Sequence, residues 1–115
     1  MDNNKLSIIV KGADDKKAFD IKTLKISGLT SIGDYFVIAS GNSDRQVISI
    51  ANEIEDKMHE AGYEPMNKEG YKTGRWILLD YGDIIVHVFH KEDREFYNLE
   101  RLWVDAEGIE LDDII

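Results

Sequence analysis

The segment "GRWILLDYGDIIVHVFH", residues 74–90, constrains this chain more than any other. Two strongly apolar runs flank Asp80-Tyr81-Gly82-Asp83, where a glycine and two aspartates supply turn chemistry, so an antiparallel hairpin over 75–80 and 83–89 is expected. The expected register sets Leu79 against Ile84, Ile77 against Val86 and Trp76 against His87. Alternation then puts Ile77, Leu79, Ile84 and Val86 on one face and Trp76, Leu78, Ile85, His87 and Phe89 on the other. Both faces are apolar, with Asp80 and Asp83 at the end.

The rest of the chain offers partners for such a hairpin. Leu6, Ile9, Val10 and Ala13 recur at helical spacing behind a cap at Asn3 or Asn4, predicting a helix that stops near Lys17. Residues 21–26 read as a strand and 28–33 as a loop. "YFVIAS", 35–40, lacks polar alternation, the pattern of a central strand buried on both sides. Ser43 and Gln46 form a capping box that opens a second helix, with Val47, Ala51, Ile54, Met58 and Ala61 as its stripe and Gly62 as its stop. Residues 63–67 are expected to form a short edge strand, since Pro65 disfavours a central place. Residues 92–103 continue as a helix with Phe96, Leu99 and Trp103 on one stripe. Alternating strands and helices imply an α/β fold, a mixed sheet with helices packed on it. A single domain over 1–106 is followed by an acidic tail, 107–115, expected to pack poorly.

Composition narrows the function. With no cysteine, disulfides, thiolate catalysis and cysteine-bound zinc are excluded. No run approaches the ~20 apolar residues of a membrane span, and no basic-then-apolar leader opens the chain, so no membrane partner and a cytoplasmic address are expected. Twenty-three acidic against fourteen basic residues leave a formal charge of -9. That balance disfavours nucleic-acid phosphates, leaving such contact peripheral at most, and favours a basic protein partner.

Four roles compete for Asp80 and Asp83: metal ligand, catalytic acid, turn former, or contact for something basic. Asp83 and His87 lie four strand residues apart, roughly 13 Å, too far for metal bonds of about 2.1 Å. His90 points away from His87 if the strand continues. No metal, cofactor or catalytic residue is therefore expected. His87 reads as a histidine packed beside Trp76, with no serine, cysteine or threonine nucleophile placed near it, and His59 as solvated. Turn formation accounts for each aspartate singly but not for two like charges on opposed positions, an arrangement that destabilises a sheet unless a basic group relieves it.

Read in order, "DYFVIASGNSDRQV", "EGYKTGRWILLDYGDIIVHVFH" and "REFYNLERLWVDA" resemble the ribosomal silencing factor, or Iojap-related, family. The resemblance runs from "DDKKA" to Ala106. It implies a mixed five-stranded sheet with flanking helices, related to nucleotidyltransferases, and homodimers of the free protein. It also implies binding to the large ribosomal subunit through ribosomal protein fourteen, where the bound factor blocks joining of the small subunit and represses translation when nutrients are scarce. Carried over residue by residue, the family's motifs fall on Trp76, Asp80, Gly82 and Asp83, then on Phe96, Tyr97, Leu99, Glu100, Leu102 and Trp103. The expected contact has Trp76, Phe96 and Tyr97 as aromatic anchors and Asp80, Asp83 and Glu100 facing lysines or arginines, with Gly82 shaping the turn.

Two rivals remain. A nucleotidyltransferase enzyme would share the strand, "SGNS" and helix arrangement, but its magnesium needs carboxylates at i and i+2 of one strand, and Asp83 is followed at that spacing by Ile85, Asp80 by Gly82. A dimeric adaptor without a ribosomal role would share fold and acidity but lacks a named partner.

Overall fold

Helix α1 (Asn3–Asp15) buries the predicted stripe completely: Leu6, Ile9, Val10 and Ala13 are shielded from solvent. Its end is closed by a Schellman motif, in which Ala18 N–H bonds the Ala13 carbonyl and Lys17 N–H bonds that of Asp14, with Lys17 itself at φ 62 where glycine is usual. In this computed structural model, which describes residues 3–25, 34–93 and 107–108, α1 is followed by β1 (Phe19–Lys25), β2 (Tyr35–Gly41), α2 (Asp44–Glu60), β3 (Asn67–Glu69), β4 (Trp76–Asp80), β5 (Ile84–His90) and β6 (Glu107–Gly108).

The strands form one mixed sheet in the order β3-β4-β5-β2-β1-β6. β2 and β5 run parallel at its centre, and the other neighbours are antiparallel. The expected architecture, a mixed five-stranded sheet with flanking helices, is present. Two residues of the acidic tail extend it, as Gly108 and Glu107 pair with Leu24 and Lys25. The uniformly apolar 35–41 segment is central, buried at every position, because helices cover one face and aromatic side chains pack on the other.

Both helices lie on the same face. Their apolar stripes, with Val47, Ile50, Ala51, Ile54 and Met58 from α2, meet Val37, Ala39, Ile77, Leu79, Ile84, Val86 and Val88 from the sheet. Ile50 joins the predicted stripe, whereas Ala61, expected on it, is exposed, because the helix ends at Glu60 and Ala61 is its cap. The Ser43 hydroxyl accepts Gln46 N–H at 3.1 Å as a capping box requires, but the Gln46 side chain reaches one residue further back, to Asn42 N–H at 2.6 Å.

Three expectations are corrected. The edge strand is Asn67–Glu69, not 63–67, since Tyr63 N–H closes the end of α2 on the Met58 carbonyl and Met66 N–H is the first to bond the Asp80 carbonyl. β1 begins two residues early and carries a bulge between Phe19 and Lys22, with Asp20 at φ 50. The hairpin register is displaced by two: Trp76 opposes Phe89, Ile77 Val88, Leu78 His87, Leu79 Val86 and Asp80 Ile85. An even displacement keeps every side chain on its predicted face. Of the helix expected over 92–103, residues 91–93 are helical and the rest lies outside the described residues.

Candidate functional site

The displaced register removes the electrostatic puzzle at the hairpin end. The turn is Gly82-Asp83, bounded by the Tyr81 N–H to Ile84 carbonyl bond of 2.9 Å, with Gly82 at φ 89 in the glycine-first arrangement of type II′ hairpins. Asp80 is therefore opposite Ile85 and not Asp83. Its Oδ1 accepts Gly82 N–H at 2.8 Å, the Asx-turn bond that makes aspartate a turn former. The Asp83 carbonyl accepts the Asp34 and Tyr35 N–H groups at 2.7 and 3.0 Å, tying the turn to the start of β2.

The Asp83 carboxylate already has a basic partner within the chain. Lys5 Nζ, on α1, lies 3.2 and 3.4 Å from its two oxygens and 4.9 Å from the centroid of the Tyr63 ring. The two carboxylates thus engage different groups, Asp83 a lysine on the helix side of the sheet and Asp80 the turn's own backbone. Among the described residues, no three His, Asp or Glu side chains are grouped to hold a metal ion.

Trp76 and Asp80 project to the same side of β4, away from α1 and α2, at opposite ends of the strand. There the half-buried indole of Trp76 stacks on Phe89, centroids 4.9 Å apart at 25°, and donates its N–H to His87 Nδ1 at 3.1 Å. His87 meets Phe36 edge-on at 4.8 Å. The packing of His87 beside Trp76 agrees with the sequence, although the pair is diagonal across the strands. Burial pushes the imidazole pKa down to about 4. His59 is exposed as expected and bonded to Glu64, whose carboxylate raises its pKa.

Asp80, Gly82 and Asp83 thus gather at the turn end of the hairpin and Trp76 stands at the other end of β4, while Phe96, Tyr97 and Glu100 lie outside the described residues. Two neighbours were not singled out from sequence. Lys5 gave no signal, being one lysine among polar residues at the start of a helix. Met66 could have been noticed as an apolar side chain in a polar loop. It is 76% exposed, the exposed large hydrophobic residue among those described, and a side chain at Gly82 would come within 3.2 Å of its Sδ. Carboxylates and an exposed apolar side chain therefore meet at the turn end of the hairpin, while the Trp76–His87–Phe89 cluster lies toward the other end of the same sheet face as Asp80.

Known proteins share this sequence pattern and fold. A family model described as "Ribosomal silencing factor during starvation" matches residues 2–115. The ribosomal silencing factor of Bacillus subtilis is 49% identical over 107 residues, 93% of this chain and 91% of its own length. That of Halalkalibacterium halodurans is 46% identical over 110 residues, 96% of this chain and 94% of its own. A crystal structure of a Chromobacterium violaceum protein superposes with a TM-score of 0.84 at 37% identity, covering 86% of this chain and 82% of the other. Sequence motifs, near-complete coverage and fold agree, and the chain belongs to the ribosomal silencing factor family.

Proposed function

We propose that this protein binds the large ribosomal subunit through ribosomal protein fourteen and, by its bulk, blocks joining of the small subunit, repressing translation under nutrient limitation. The observation that carries the reading is membership of a family of ribosomal silencing factors across residues 2–115. The physical features are in keeping with it. A formal charge of -9 steers the chain toward basic proteins and away from bare RNA. The hairpin offers an aromatic anchor, Trp76, at one end of β4 and the carboxylates Asp80 and Asp83 around Gly82 at the other, and Phe96, Tyr97 and Glu100 extend the proposed contact. Because Asp83 is held by Lys5, Asp80 is the turn carboxylate that meets a partner's lysine or arginine without first giving up a side-chain ion pair among the described residues. The free protein is proposed to be a homodimer.

Asp80→Lys tests the contact. Its side-chain bond to Gly82 is local to the turn, so the variant is expected to melt within a few degrees of the parent while co-sedimenting with purified large subunits about tenfold less well, the effect of losing roughly 1.4 kcal/mol. Unchanged co-sedimentation would remove Asp80 from the contact. Trp76→Ala is read alongside a melting curve, because loss of a half-buried indole also costs roughly 3 kcal/mol of packing.

A further inference from the structure

We infer that His87 is a positioning residue, which fixes the Trp76 indole for docking by accepting its N–H. The inference deepens the docking reading and rests on it for its effect on binding.

Trp76 sits on β4 with one ring face on Phe89. Stacking alone lets an indole slide and rotate in its own plane. The bond from Nε1–H to His87 Nδ1, at 3.1 Å, adds a directional restraint against that motion. His87 is itself well placed to hold it. It is central in β5, 4% exposed, with its ring against Phe36 and that of Phe89 6.2 Å beyond. A ring nitrogen that accepts an N–H carries no proton, so the neutral imidazole has its proton on Nε2. That Nε2 has no hydrogen-bond partner among the described residues. A buried donor without a partner costs stability that an apolar residue of similar size would avoid. Packing therefore does not account for a histidine here, whereas an acceptor aimed at the indole does. A rigid anchor loses less freedom on binding than a mobile one, which is how such a residue raises affinity without touching the partner.

Two substitutions separate the acceptor from the ring. His87→Asn puts an amide oxygen close to where Nδ1 stood, and His87→Leu supplies bulk with no acceptor. The indole N–H resonances of the 15N-labelled protein, with that of Trp76 assigned from Trp76→Phe, report the bond directly. In His87→Leu this resonance is expected to shift upfield and exchange faster, and binding to purified large subunits to weaken roughly five- to tenfold, the range of one hydrogen bond. His87→Asn is expected to recover most of both. Equal loss of binding in the two variants, or an indole resonance untouched by His87→Leu, would overturn the inference. Imidazole 15N shifts of the unsubstituted protein give a check that needs no variant to fold: Nδ1 unprotonated and Nε2 protonated is expected, and a proton on Nδ1 would contradict the bond. If Trp76→Ala binds large subunits normally while the indole bond behaves as described, the docking reading fails and the positioning of the ring by His87 stands.

Discussion

At the scale of single residues, the same carboxylic acid does two jobs within four positions. Asp80 is locked to the Gly82 N–H and faces outward on the aromatic side, while Asp83 is paired with Lys5 on the helical side. Neither location is set by residue type; both follow from where the turn places each backbone position. His87 gives the most direct test of residue-scale energetics. Its pKa falls from 6.5 to about 4 on folding because the buried ring cannot take up a charge. The unfolded chain therefore binds a proton first as pH falls, so the contribution of neutral His87 is complete above pH 6.5, declines between 6.5 and about 4, and levels off below. The loss is about 3 kcal/mol across that window. Urea unfolding of the parent and of His87→Asn at a series of pH values checks it: the difference between the two stabilities is expected to shrink as pH falls from 6.5 to 4, and a constant difference would show that His87 titrates alike in both states.

At the scale of elements, the chain shows which sequence signals decide structure and which do not. The helical stripes of α1 and α2 and the apolar runs of β2, β4 and β5 were legible because burial repeats at a fixed period, and one side of each element has to be apolar. The hairpin's faces were legible for the same reason, and its register was not: a turn centred on Tyr81-Gly82 and one centred on Gly82-Asp83 satisfy the same alternation, and the choice depends on the Tyr81–Ile84 bond and on Asp83 reaching β2. For the site, Trp76, Asp80, Gly82 and Asp83 came from motif resemblance, but the internal neutralisation of Asp83 depends on Lys5, 78 positions away, which no local pattern reports. The displaced edge strand likewise follows from contacts made beyond its own residues. Gly70 shows how a loop sets an element's start. At φ 94 it passes so close to β4 that a Cβ would lie 2.0 Å from the Trp76 carbonyl oxygen, whereas Gly62, at φ 93, has open space around it. Gly70→Ala is expected to cost about 3 kcal/mol or more and to perturb Trp76 along with β3, while Gly62→Ala costs about 1 kcal/mol. Thermal melts of the two variants decide it, and equal costs would show that the Gly70 loop can move away from the strand.

At the scale of the whole molecule, the sheet is a frame with an allocated front and back. Two helices close one face, an aromatic cluster occupies the other, and a corner carries carboxylates beside an exposed methionine. In the proposed function no bond is made or broken by this chain. In that proposal, a domain of this size held by a basic protein at the subunit interface would exclude the small subunit by occupying space. The central claim is therefore about assembly, and its most direct test is sedimentation of mixed ribosomal subunits with increasing amounts of the protein. The account predicts that joined ribosomes decline and free subunits rise, with the protein co-migrating with the large subunit. Undiminished joining at a concentration that saturates the large subunit would contradict it.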